Sequence, residues 1–188
     1  MQEFKLTYTH RGLSVLVGMV LLFCSLASPE IFAQGEPSTR TTDQEEANKR
    51  VAQQIYDVWD GNDEGVLDEL IAEDVVLHRP HYMGGTVSGL EAYKNNLRMV
   101  RAAIPDLFFR AHKVVAEDDK VVAYATFGGT HKGELAGIEP TGISVEVDDF
   151  VLYRFDDGKI AEVITRPDFF SLFRQLDAVE HPAGPPEK

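Results

Sequence analysis

Between Leu107 and Arg166 the chain alternates long runs rich in β-branched and aromatic residues with compact turn signals, a pattern that only a sheet of mostly antiparallel strands satisfies. Three strands are read over Leu107 to Ala116, Val121 to Lys132 and Ser144 to Phe155. Glu117-Asp118-Asp119 turns the first pair, and Asp157-Gly158, a strong hairpin dipeptide, leads into KIAEVITR as the last strand. The remaining connection is unusual. GTHKGELAGIEPTG, residues 129 to 142, holds Gly129, Gly133, Gly137 and Gly142 around one histidine, His131. Glycine weakens strands and marks bulges or close backbone approach, and bulges re-aim side chains beside functional sites. His131 is therefore a candidate site residue.

Ahead of the strands the apolar spacing is helical. Thr42 with Glu45 fits a capping box, and Ala47, Val51, Ile55 and Trp59 recur along one stripe of a helix from Asp43 to Asp60, stopped by Gly61. A second short helix is expected over Glu64 to Ala72. VVLHRP (75 to 80) reads as a strand ended by Pro80, and YMGGTVSG as a turn with a short return strand. Leu90, Tyr93, Leu97, Val100 and Ile104 restore helical spacing until Pro105. PDFFSLFRQLDA forms a terminal helix and HPAGPPEK a disordered tail. The order implies an α+β domain with helices packed on one face of a curved sheet. The expected organisation is a leader over 1–33, a linker over 34–42, one domain over 43–178 and a tail over 179–188.

Lys5 and Arg11 followed by LSVLVGMVLLFCSLAS read as an export signal, cut after Ala27 or after Ala33, so the protein is expected in the periplasm or outside the cell. Cys24, the only cysteine, lies in that segment. The exported domain would then have no disulfide, thiolate ligand or cysteine nucleophile. The net charge of -13 opposes nucleic acid and anionic lipid, which are bound through Lys and Arg clusters. Neither is expected as a partner once the signal is removed.

The sequence lacks the G-x-S-x-G elbow, the phosphate loop GxxxxGK[ST], H-E-x-x-H and GxGxxG. His78 and His81 could be read as a metal pair, but Pro80 interrupts the strand between them and no carboxylate stands at a ligand spacing, so no metal is expected. Asp168 sits where the last strand meets the terminal helix. It is either a helix N-cap or, in an apolar cavity, an acid/base group with a raised pKa. His131 is either a core histidine or a pocket residue that orients substrate. Most of the aromatic set Tyr56, Trp59, Tyr82, Tyr124, Phe127, Phe150, Phe169 and Phe170 belongs to a core, with a minority free to line a pocket for an apolar ligand. The substrate-lining expectation is Tyr56, Trp59, His78, Tyr82, Tyr124, Phe150 and Phe170. Arg166 is read as a partner of surface acids.

GTHKGELAGIEPTG, then GKIAE, then Asp168-Phe-Phe-Ser-Leu172-Phe-Arg-Gln175-Leu176, with Ile104-Pro105-Asp106-Leu107 at the entry to the strands, resembles the SnoaL-like polyketide cyclases, or ester cyclases, over about Asn48 to Ala178. The resemblance implies a single-domain α+β cone, in which a curved, mixed but mostly antiparallel sheet wraps around the N-terminal helices, as in nuclear transport factor, ketosteroid isomerase and scytalone dehydratase. It implies ring closure by intramolecular aldol condensation without metal or cofactor on a small hydrophobic carbonyl compound, with Asp168 as acid/base and His131 in the same pocket. Family members often carry a tryptophan preceded by histidine where Val163 and Ile164 stand, and an arginine where Tyr124 stands. Other readings of the same fold are a non-catalytic hydrophobic-ligand binding module and an epoxide hydrolase or dehydratase. The hydrolase needs a second carboxylate, which VVAYATF does not offer. A homodimer through the sheet face is expected of such a fold.

Overall fold

The computed structural model describes residues 39–179, so the export signal with Ala27 and Ala33, the first part of the linker and the tail beyond 179 lie outside the described residues. Helix α1, Thr39–Trp59, starts ahead of the Thr42 and Glu45 box, so Thr42 lies inside the helix and is not its cap. Ala52, Ile55, Tyr56 and Val58 are its buried apolar residues, and the helix lies against the sheet. A 3₁₀ turn, Glu64–Val66, is capped by the Asp63 carboxylate accepting from Gly65 N, and it runs into the four-residue helix α2, Leu67–Leu70.

Strand β1 is Ile71–His78, so Ile71 and Ala72, read from local spacing as the end of a helix, are extended. The cause is a distant partner: Ile71 pairs in parallel with Ile160, ahead of an irregularity that ends at Val76. Helical spacing in a short apolar run cannot reveal such a pairing. A 3₁₀ turn over His81–Met83 and β2, Val87–Ser88, precede α3, Leu90–Ala103. Then come β3 (Phe108–Glu117), β4 (Lys120–Thr130), β5 (Ser144–Asp156), β6 (Lys159–Pro167) and α4 (Phe169–Gln175).

The strands form one sheet in the order β2-β1-β6-β5-β4-β3. Only the β1 and β6 pair is parallel. β5 alternates strictly, with Val145, Val147, Asp149, Val151, Tyr153 and Phe155 buried and their neighbours facing outward. Irregularities between Ala111 and Lys113 and between Arg154 and Phe155 bend the sheet. Two apolar clusters result, one of α1 against the sheet and one around Leu107, Phe127, Val147 and Leu172, with Trp59 and Phe109 packed against both.

The glycine-rich segment docks the sheet onto a helix end. Lys132 N and Gly133 N both donate to the Ala103 carbonyl at the C-terminus of α3, at 2.8 and 2.9 Å. His131 N donates to Ile143 O, and Gly142 N returns to His131 O. A Cβ on Gly133 would stand 2.3 Å from the Ala102 carbonyl oxygen, whereas one on Gly137 would meet nothing within 4 Å although Gly137 has φ +82°. We predict that Gly133→Ala lowers stability by about 2–3 kcal/mol through overpacking and Gly137→Ala by about 1 kcal/mol through backbone strain. Urea unfolding checks the order; equal costs would contradict it.

Candidate active site

Between the two clusters, α1, α3 and the inner face of β5 and β6 bound a cleft that opens to solvent. Its walls are mostly apolar, with Trp59, Phe109, Phe127 and Val151 among them. One carboxyl enters it. Asp149 takes an inward position on β5 and is 3% exposed. The Thr165 hydroxyl donates to both carboxyl oxygens, at 3.1 and 2.9 Å, and Arg166 N donates to Oδ1 at 3.1 Å. Burial nevertheless dominates, since desolvation penalises the charged form more than these bonds favour it, and the carboxyl is pushed up to about 6.

The phenol of Tyr56 is the second feature. Tyr56 stacks on Phe109 and meets Tyr153 edge-on, and its buried hydroxyl makes no hydrogen bond of good geometry among the described residues, although the Tyr153 phenol stands close enough to favour its ionised form. Burial raises its pKa, with the Asp149 charge acting in the same direction, so it stays a neutral donor. Trp59 Nε1 donates to Tyr93 OH at 3.1 Å, and burial pushes the Tyr93 phenol up to about 12. Arg79 and Asn96 complete the polar part of the wall.

Of the residues read from sequence, Tyr56 and Trp59 line this cleft, as do Phe127 and Phe169. Asp168 is the exposed N-cap of α4, its carboxylate accepting from Ser171 N at 3.0 Å, and it is not on the cleft wall. His131 is fully buried, also away from that wall. Its Nδ1 accepts from Thr141 N and faces Thr141 Oγ1, and its Nε2 has no partner among the described residues. The structure thus does not gather Asp168 and His131 in the cleft. His78 bonds Glu162 at 2.9 Å and Thr86 at 3.2 Å from the outer side of the sheet.

Tyr124 and Phe150 stack on each other with Tyr124 OH donating to Asp148, because strand alternation that turns Ala125 and Asp149 inward turns these two outward. Tyr82 is half-exposed against Phe169 and Phe173, and Phe170 is exposed. Arg166 donates to the carbonyls of His78 and Thr165 rather than pairing with surface acids. No group of three or more His, Cys, Asp or Glu side chains among the described residues is arranged to hold a metal, and His81 is exposed. Asp149 was missed by sequence reasoning although a signal exists. In VEVDDFVLY the alternation V-x-V-x-D-x-V-x-Y puts one of two adjacent aspartates on the apolar side.

A cleft holding one buried carboxyl, enclosed by helices on one face of a curved mixed sheet, defines an α+β cone with an internal titratable carboxyl. The sequence profile of the SnoaL-like polyketide cyclases matches residues 49–176, and the chain belongs to that family. It is similar to the crystal structure of IdmH from Streptomyces antibioticus, a proposed polyketide cyclase, at 27% identity and TM-score 0.63 over 69% of this chain and 98% of that one. It is also similar to AclR of Streptomyces galilaeus, a proposed hydroxylase, at 25% identity and TM-score 0.63 over 74% and 87% of the two chains. A SnoaL-like protein of Jannaschia sp. CCS1 shares the fold at 22% identity and TM-score 0.65 over 78% and 100% of the two chains. Curated protein sequences give no match.

Because the folded pKa of Asp149 lies above its ordinary value, the stability it contributes is full below about pH 4 and is lost as the pH rises through about 6. Asp149→Asn removes that loss while keeping Oδ1 as an acceptor for Arg166 N and the Thr165 hydroxyl. At pH 8 the variant should be more stable than the parent by on the order of 2 kcal/mol, and near pH 4 the two should converge. Denaturant unfolding across this range is the check; a pH-independent difference would contradict the raised pKa.

Proposed function

We propose that the protein is a cofactor-independent, cyclase-type enzyme that removes a proton from carbon next to a carbonyl, with Asp149 as general base. The observation that carries this reading is a single carboxyl, inward on β5 and nine-tenths or more buried, in an apolar cleft of a SnoaL-like fold. A carboxylate with a pKa near 6 is ionised at neutral pH, yet basic enough to take a proton from an activated carbon acid. Thr165 and Arg166 N hold its orientation.

In the first step the Asp149 carboxylate takes the proton, the C–H electron pair forms the enolate double bond, and the carbonyl π pair moves to oxygen. Tyr56 OH, which makes no hydrogen bond of good geometry among the described residues, donates to that oxygen as its charge develops. In ring closure the enolate carbon attacks a second carbonyl of the same molecule. The proton on Asp149 then passes to the new alkoxide, and the carboxylate is restored. No oxidant, reductant or cofactor is consumed. Asp168, at the surface end of the same strand-to-helix junction, serves in this reading as the cap that sets the start of α4.

Hydrogen–deuterium exchange by NMR on β-dicarbonyl and cyclic ketone carbon acids is the test. Exchange should rise with pH through about 6, fall about 10³-fold in Asp149→Asn and about 10²-fold in Tyr56→Phe, and survive in Asp168→Asn. Silence across the panel with binding retained would instead make the protein a ligand-binding module. The reading extends to export of the domain and to a homodimer through the outer sheet face, where Val115 is 62% and Phe150 57% exposed. Sedimentation of the parent and of Phe150→Glu tests the dimer, and a monomeric parent would end it.

A further inference from the structure

Apart from Asp149, Arg79 is the only charged side chain on the cleft wall among the described residues. The chain has 31 acidic against 18 basic residues, so cations here easily find carboxylates. Lys94 pairs with Asp68, Arg98 with Glu64 and Arg154 with Glu162. Arg79 does not. Its Nε donates to the Gly85 carbonyl at 3.1 Å and its Nη1 to Asn96 Oδ1 at 2.8 Å, both neutral acceptors. Burial alone pulls its pKa below the ordinary value, and no carboxylate acts to restore it. The asymmetry has a physical meaning: a partly desolvated guanidinium held by neutral acceptors keeps its full charge available to a ligand.

Two further features keep this charge accessible. Nη2 of Arg79 and the amide NH₂ of Asn96 donate to no described residue, and both residues line the cleft. Gly84, at φ +88°, lies beside the guanidinium, where an added Cβ would stand 3.1 Å from Arg79 Nη2. Asn96 fixes the fork through its oxygen and so turns its own amide group out as a donor.

We infer that Arg79 and Asn96 form a carboxylate-binding subsite, so that the substrate is a keto acid or related carbonyl compound bearing an ionised carboxyl group. The inference rests on the proposed chemistry only for the reacting end of that molecule. Its acid group is held by the guanidinium, which places the carbonyl along the cleft toward Asp149 and Tyr56. A fixed cation is needed for this purpose, because a chain of net charge -13 otherwise repels an anionic ligand.

The test uses the fluorescence of Trp59, the only tryptophan and a wall residue of the cleft. Benzoate and 3-phenylpropanoate are titrated beside their methyl esters at pH 7.5. The acids should bind at least about tenfold more tightly than the esters, as expected for a charge-assisted fork. Arg79→Gln should erase the preference while leaving ester affinity within about twofold, and Arg79→Lys should keep only part of it. Asn96→Leu, which does not depend on Arg79 replacement being tolerated, should weaken the acids selectively. Acids that bind no more tightly than esters, or a preference that survives Arg79→Gln, would overturn the subsite. Asp149→Asn separates the two claims, since it should abolish exchange yet keep the acid preference. A parent that shows no exchange while the acid preference is intact would count against the reaction and for the subsite.

Discussion

Asp149 faces the interior because its neighbours on β5, Val147, Val151 and Tyr153, must, and alternation along a strand leaves no other side for it. Everything around it answers the cost of that placement. Thr165 on β6 spends its hydroxyl on the carboxyl, and the Arg166 amide adds a second donor, but the apolar walls still tip the balance toward the protonated form. A carboxyl that the fold would rather keep neutral is a reactive base once ionised. The same desolvation that destabilises the protein at neutral pH supplies its proposed chemistry, which is the trade expected where function requires strain.

The rest of the cone positions this group. Irregularities in β3 and β5 bend the sheet over α1, and α1 delivers Tyr56 and Trp59 one turn apart into the cleft. The glycine-rich segment between β4 and β5 fixes the end of α3 through the Ala103 carbonyl. α3 in turn carries Tyr93 and Asn96 on its cleft side. The glycines therefore serve docking, and His131 is buried among their hydrogen bonds rather than presented to the cleft.

Much of this was legible in the sequence where the signal is local. The Asp157-Gly158 hairpin, the long strands and the Leu90 to Ile104 stripe all give their elements within a residue or two, because turn chemistry and periodicity act over a few neighbours. Tyr56 and Trp59 were legible as part of an aromatic set. The end of α2 was not, because Ile71 answers to Ile160 far along the chain. Asp149 was hidden among 31 acids, of which the described ones mostly decorate the surface, and only strict alternation through both valines and Tyr153 distinguishes it from Asp148. Asp168 attracted attention through its motif, and its position before FFSLFRQ gave its structural role as well.

The central claim is that one inward carboxyl is held near neutrality by an apolar cleft, and the most direct measurement is its own titration. Carboxyl ¹³C chemical shifts of the parent, with Asp149→Asn identifying the resonance, should show Asp149 titrating at about 6 while the exposed aspartates titrate near 4. An Asp149 midpoint near 4 would show a carboxyl solvated like the others, and the account of this cleft as an acid/base site would fail.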